Sequence, residues 1–429
     1  MGFQMQLSQS FVCRRKSQHS TILQNSDAIT DSSMATDGSS SCQEPKMTSQ
    51  THLPAEDSLL LPDLLPEIIV QILSRLPVKS LLRFRCVSKS WRSFISQPEF
   101  AKTHLSLASM SSDYTHHRLL LSDLDPREPT NVKSCSLYCI LNEQSDTAVD
   151  LDCPLNINHL GRIVGCCDGL VCGTIYGGLI IWNPSTRRSK RLLDVEMLSR
   201  HNYPYAYGFG YDESIDDYKV VVFSRDASNS GFDFEAKGEV YSLRTNSWRR
   251  IGIFPYGFHM DISGTYLNGA LYWTVTVSRE SNIIIVSLDL VKETYREVLL
   301  PDYGDGHLSR SSLDVLNGCL RIVCAYDEYI DVWVMKEYGI RESWTKLVVI
   351  PCATPELFDP YPTPVCILKN GEFLVNVYTH LVRYNPKDGT TIYLPIRNCS
   401  ERFSVYRHIE SLISPEIDAD SGVQWQHQY

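Results

Sequence analysis

Between Leu61 and Ile95 apolar residues recur at spacings of three and four, the period of helices that bury one face. The spacing predicts a first helix from about Pro66 to Leu76. Leu65, Ile68, Ile69, Ile72, Leu73 and Leu76 share one side of it, and Glu67, Gln71 and Arg75 take the other. Pro66 suits the first helical position, where its missing N–H costs nothing, and Pro77 ends the run. A second helix is expected from roughly Lys79 to Val87. A third begins at Ser88, whose hydroxyl can cap free backbone N–H groups, and carries Trp91, Phe94 and Ile95. These helices hold more apolar surface than they can bury among themselves, so the segment needs a partner.

From about Arg162 the pattern changes to short strands separated by tight turns at Asp168-Gly169, Asp216-Asp217, Asn268-Gly269, Asn317-Gly318 and Asn370-Gly371. The turns recur at intervals of about fifty residues, a period that short strands show in β-propellers with one four-stranded blade per repeat. The clearest unit runs Gly264 to Leu267, turns at Asn268-Gly269, and returns as Ala270 to Val275. Asn-Gly tolerates positive φ at both central positions, which a two-residue hairpin demands. Strands at Ile283 to Leu290 and Thr294 to Leu299 complete that blade. Third strands of the other units are expected at Leu179 to Asn183, Glu239 to Leu243, Ile330 to Met335 and Leu381 to Asn385. Fourth strands open with Trp248, Tyr295, Trp344 and Ile392, and aromatics repeated at one place in each blade fit packing between neighbours. A sixth unit is assembled from strands near Arg118 to Ser122 and Ser136 to Leu141, closed by a C-terminal strand near Phe403 to Glu410. Pairing the two ends would remove exposed sheet edges.

The expected fold is therefore multidomain: a small all-α, three-helix module at residues 58–98, then an all-β, propeller-like domain of about six blades at 105–415. Residues 1–57, rich in Ser, Thr and Gln and poor in large apolar groups, are expected to be a disordered tail, and 416–429 a flexible one. At 429 residues, 43% hydrophobic and 21% charged, the composition is that of a folded soluble protein. A formal charge of −10 argues against a sequence-independent grip on nucleic acid or an anionic membrane. No apolar run approaches the length that spans a bilayer. Gln6 stands where a myristoylation signal wants Ser or Thr, and Arg14, Arg15 and Lys16 only faintly resemble a transit peptide. The 14 cysteines show no framework-like spacing, and no paired C-x-x-C units complete a zinc site. Reduced thiols, and hence the cytoplasm or nucleus, are the expectation; no metal or cofactor is implied.

The helical segment resembles an F-box, the adaptor-binding module of ubiquitin ligases built on a Skp-type adaptor and a cullin scaffold. The resemblance lies in Leu61-Pro62, the run Ile72 to Leu81, and Arg83 to Trp91. It implies that Leu61, Pro62, Ile68, Ile72, Leu76, Pro77, Val78 and Leu81 contribute to the adaptor interface, with Trp91 locking the third helix against the others. Residues Gly165 to Val171, Ile181 to Thr186, Gly208 to Asp212 and Asp217 to Val221 resemble the F-box associated, kelch-like domain of a large plant family. True kelch repeats carry a Gly-Gly doublet in each blade, whereas here only Gly177-Gly178 is present.

In a propeller the turns joining strands one to two and three to four lie on one face and the other connections on the opposite face. The first set is short in this sequence. The second includes Ser199 to Tyr205, Phe254 to His259, Pro301 to His307 and Glu356 to Pro362. Long loops on a rigid scaffold are where recognition usually resides. Tyrosine supplies contact area at low entropic cost, which makes Tyr203, Tyr205, Tyr256, Tyr303 and Tyr361 the candidate target anchors. The expected function is the substrate-recognition subunit of a Skp-cullin-F-box ubiquitin ligase. Its partners would be the adaptor, through it a cullin and a RING protein, and a protein target. Two alternatives are a non-degradative F-box scaffold and a propeller enzyme, but no nucleophile elbow, H-E-x-x-H or P-loop supports catalysis.

Overall fold

A computed structural model of the chain describes residues 66–416 apart from 112, 124–131, 143–145, 152–159, 176–177, 193–201, 227–235, 257–258, 261, 277–282, 304–309, 352–361, 378–379 and 401. The expected N-terminal tail lies outside the described residues, as do Leu61 and Pro62. The chain divides into two compact units after Ile69. Of the first unit only the opening turn of helix α1 (Pro66–Leu73) is described; all else described belongs to the second.

Helix α1 stops at Leu73, earlier than its apolar period suggests, and the chain tightens into a turn in which Leu76 N–H donates to the Leu73 carbonyl. Pro77 accounts for this, because its ring disfavours helical geometry in the residue before it. Helix α2 (Val78–Phe84) and helix α3 (Lys89–Ile95) follow. Ser88 caps α3, its hydroxyl accepting from Trp91 N–H at 3.1 Å. A further helix, α4 (Pro98–Met110), leads into the sheets.

Among the described residues the strands form four separate four-stranded sheets, a two-stranded sheet in which Ile396–Arg397 pairs parallel with Asp146–Thr147, and one nine-stranded sheet, in which two antiparallel units are joined by a short parallel pairing of Ser263–Leu267 with Asn202–Asp212. Six blades result. Blade 1 comprises His117–Asp123, Val132–Ser136, Val149–Asp150 and, as its innermost strand, the C-terminal Phe403–Ile409. Blade 2 is Leu160–Cys167, Leu170–Ile175, Gly178–Asn183 and Arg188–Leu192. Blade 3 is Asn202–Asp212, Asp217–Asp226, Ala236–Ser242 and Ser247–Phe254. Blade 4 is Ser263–Leu267, Ala270–Thr276, Ile283–Asp289 and Tyr295–Val298, with His259–Met260 added to its second strand. Blade 5 is Arg310–Leu316, Cys319–Ala325, Tyr329–Met335 and Trp344–Pro351. Blade 6 is Thr363–Ile367, Phe373–Val377, His380–Tyr384 and Thr391–Leu394.

The core is a ring of interfaces, one between each pair of neighbours. Leu120 and Val132 of blade 1 meet Ile180 and Trp182 of blade 2, and Ile181 of blade 2 meets Phe209 and Val220 of blade 3. Phe223 and Val240 meet Trp273 and Val286 of blade 4; Tyr272 and Ile285 meet Ile322 and Trp344 of blade 5. Val332 and Val348 meet Val375 and Val382 of blade 6, and Leu374 and Leu381 meet Leu119 and Cys135 of blade 1. The circle closes where Phe403–Ile409 pairs antiparallel with His117–Asp123. Each fully buried aliphatic or aromatic side chain adds about 1.5–3 kcal/mol.

The hairpin turns have the geometry their residues dictate. Asn268 and Gly269 sit at φ of 49° and 81°, Asn317 and Gly318 at 50° and 77°, and Asp168 and Gly169 at 52° and 80°. One expected strand is a helix instead. Within Ser136 to Leu141, only Ser136 is extended, and Leu137–Asn142 forms a helical turn. The Ser136 hydroxyl accepts from Cys139 N–H at 3.3 Å, capping that turn, and Leu137 and Ile140, three residues apart, share its buried side.

Candidate functional site

Ile68 and Ile72 lie four residues apart on α1, 41% and 49% exposed. Neither has been drawn into the core, so the helix presents adjacent large apolar side chains to solvent. Leu76 is half-buried and Pro77 exposed. Val78 and Leu81 differ: at 1% and 0% exposure they are buried within the chain and have almost no surface to offer a partner. They occupy the inward side of α2, a side that helical periodicity alone does not distinguish from a partner-facing one. Trp91 is half-buried, and Phe84 of α2 meets its ring edge-on at 5.5 Å.

The connections between strands one and two, and three and four, define a turn face, against which α4 lies. Ala101 and Leu105 enter the core between blades 2 and 3. Lys102 reaches Asp216, in the first turn of blade 3, at 2.6 Å; both are exposed, so the pair contributes little. On the same face the chain after Phe403–Ile409 is held by Asn183, whose buried amide donates to the Ser411 carbonyl at 3.0 Å and the Ile413 carbonyl at 2.8 Å.

Four histidines gather where α4 meets blade 1. His104 Nε2–H donates to the Leu76 carbonyl at 2.8 Å, and the His104 and His116 rings meet edge-on at 5.5 Å. Burial holds both below the ordinary histidine range. It pushes His117 down to about 4, with Arg407 and His116 adding to the effect. His408 is driven down to about 3, by burial first and then by Arg118 and His117. Among the described residues no His, Cys, Asp or Glu cluster has the geometry of a metal site.

The opposite, loop face carries an open groove of about 720 Å³ at the junction of blades 6 and 1. His380 and Leu381, Tyr393 to Ile396, Cys399 and Phe403 line it. The His380 and Tyr393 rings stand edge-to-face at 5.6 Å, and Tyr393 is 66% exposed. Two of the loop tyrosines are less exposed than their sequence context implies. Tyr256 and Tyr303 follow the outer strands of blades 3 and 4 on the loop face, but both are half-buried against the neighbouring cores, Tyr256 with its ring 5.5 Å from Phe254. Tyr203 and Tyr205 lie on the innermost strand of blade 3, with side chains outside the described set, and Tyr361 lies outside the described residues. The groove escapes sequence reading because its walls come from short connections rather than from the long aromatic loops.

Helices α1 to α4, followed by a closed ring of six blades, define a chain of two parts, helical and then propeller. Residues 61–103 match the F-box domain, and residues 128–401 match the F-box associated beta propeller domain. The chain belongs to the F-box proteins with an F-box associated propeller. It is 33% identical over 356 residues to an F-box/kelch-repeat protein of Arabidopsis thaliana, covering 81% of this chain and 95% of the relative. It is 30% identical over 379 residues to the F-box protein CPR1 of Arabidopsis thaliana, covering 81% and 88%. Among solved structures, an oligogalacturonate lyase in complex with manganese matches 67% of this chain and 76% of its own at 12% identity and a TM-score of 0.39, a likeness too low to bear on function.

Proposed function

We propose that the chain is the substrate receptor of a Skp-cullin-F-box ubiquitin ligase, with the helical segment docking on a Skp-type adaptor and the loop face of the propeller holding a protein target. The observation that carries this reading is the unburied pair Ile68 and Ile72 on a helix of an F-box. An adaptor covering them would form an interface of standard size, about 1,200–2,000 Å². The connection to a cullin and a RING protein rests on that contact.

In this reading the propeller performs no chemistry. It raises the effective concentration of a target lysine near a charged ubiquitin-conjugating enzyme. Because α4 and the C-terminal segment lie against the turn face, the loop face is the surface left for a target. The ten described cysteines are free, which suits the cytoplasm or nucleus as the place of action.

The decisive experiment co-expresses the full chain with a Skp-type adaptor. The wild type is expected to copurify, and Ile68→Glu with Ile72→Glu to lose the adaptor while remaining folded by circular dichroism. An adaptor retained by the double variant would remove the basis of the reading. Proximity labelling under proteasome inhibition then tests whether captured proteins accumulate as ubiquitin conjugates. Captured proteins without conjugates would point to the non-degradative scaffold instead.

A further inference from the structure

The outermost strand of every blade presents backbone N–H and C=O groups that no neighbouring strand among the described residues satisfies, and such edges are usually guarded by charge, bulges or both. Five of the six outer strands here are guarded. That of blade 1 carries Asp150, and that of blade 2 carries Arg188, Lys190 and Arg191. Blade 3 has Arg249 and Arg250 together with a register shift, blade 4 has Arg296 and Glu297, and blade 5 has Lys346 together with a register shift. The outer strand of blade 6, Thr391–Leu394, has neither. Its sequence Thr-Ile-Tyr-Leu contains no charged residue, and its pairing with His380–Tyr384 runs in unbroken register. Among the described residues no strand pairs with its outer side.

Exposure points the same way. Ile392 and Tyr393 are 42% and 66% exposed, two adjacent large apolar side chains on a strand edge, and the strand runs into the 720 Å³ groove beside Leu394, Pro395 and Phe403. A row of unpaired peptide groups is complemented by another extended backbone, which supplies the alternating donors and acceptors that a helix face lacks. The groove at the end of the strand gives an apolar side chain of that backbone somewhere to go, and the absence of charge on Thr391–Leu394 removes the usual penalty on its approach.

We propose that Thr391–Leu394 is a strand-addition site, which takes an extended, apolar peptide segment of a partner protein into the sheet of blade 6 and seats one of its side chains in the adjoining groove. That the partner is a ubiquitination target rests on the receptor reading above; the strand-addition itself does not.

The test uses the full chain in complex with a Skp-type adaptor. A phage-displayed library of random linear peptides is panned on it, the selected peptides are synthesised, and their binding is followed by hydrogen exchange. The expected result is slowed exchange within Thr391–Leu394 and binding weakened about tenfold or more by Tyr393→Lys, which charges the edge, with Tyr393→Phe as the conservative control. Peptides that protect other segments and ignore Tyr393→Lys, or a library that yields none, would overturn the site. Sedimentation of the unliganded chain supplies a further outcome: a dimer dissolved by Tyr393→Lys would assign the edge to a second copy of the chain and overturn the peptide. A wild-type chain that takes up peptides at the edge but binds no adaptor would count against the receptor reading alone.

Discussion

Lys219 Nζ lies 2.7 Å from Asp212 Oδ2 and 2.6 Å from the Leu290 carbonyl, with both charged side chains buried. Asp212 ends the innermost strand of blade 3, Lys219 is the third residue of the next, and Leu290 follows the third strand of blade 4. The ammonium therefore joins two blades as well as two strands. Burial alone would push the Asp212 carboxyl upward, but Lys219 and the Ser214 hydroxyl and N–H hold it below the usual carboxylate range. This pair gives a physical reason for the Gly208 to Asp212 and Asp217 to Val221 segments. Replacing Lys219 with Met leaves a buried carboxylate without its cation, and we expect a loss of about 3–5 kcal/mol in urea unfolding at neutral pH. The sign with pH follows from the lowered carboxyl. Its contribution is complete above the unfolded value near 4 and fades as pH falls through the folded one, so the gap between wild type and variant should narrow in acid.

Asn183 makes the corresponding link at the C-terminus. Its amide donates to two carbonyls of the closing segment while its own oxygen accepts from Ser185 N–H at 2.8 Å. Asn183→Ala would strand those buried groups, at a cost of about 1–3 kcal/mol. The change should also open the chain around Ser411 to limited proteolysis well below the global unfolding midpoint. Unaltered cleavage in that region would show that the segment is held by Ile413 packing instead.

Trp344 is 7% exposed, opens the outer strand of blade 5, and packs with Tyr272, Ile285 and Val298 of blade 4. Its indole N–H donates to the Leu299 carbonyl at 2.8 Å. Trp344→Ala removes the ring from an inter-blade interface and is expected to destabilise by about 3–5 kcal/mol, measured as a shift in the urea midpoint. Trp344→Phe, which keeps much of the volume but leaves the Leu299 carbonyl without this donor, should cost distinctly less.

These interactions show what a linear sequence carries and what it does not. The hairpins are legible because Asn-Gly and Asp-Gly state a backbone requirement in two adjacent residues, and Trp248, Tyr295 and Trp344 mark the starts of the fourth strands of blades 3, 4 and 5. Closure by Phe403–Ile409 is legible as the strand that a ring would otherwise lack. Leu137–Asn142 is not, because a short apolar run fits a strand as well as a helical turn until a cap decides between them. The Asn183 link joins residues 228 apart, and nothing in either segment announces the other. The loop-face groove is hidden for the same reason: His380 and Phe403 become neighbours only when blade 6 packs on blade 1.

The histidines between α4 and blade 1 yield a prediction with a definite sign. His408 is buried with no partner for either ring nitrogen among the described residues, and His117 is held nearly as low. Facing them are Arg118, Arg407, Asp113 and Glu410; Arg118 and Arg407 oppose protonation, and Asp113 favours it at His116 and His117. Each ring therefore binds a proton less tightly in the folded chain than in the unfolded one, where the ordinary value is near 6.5. Stability is complete above that value and falls as pH drops toward the folded values near 4 and 3. For His408 alone the loss between pH 7 and pH 5 is about 2 kcal/mol. His408→Leu removes this titration and strands no hydrogen-bond partner, so its stability at pH 7 should lie within about 1 kcal/mol of wild type. At pH 5 the variant should be the more stable of the two by urea unfolding. Parallel pH profiles for the two proteins would show that His408 is protonated or solvated in the folded chain.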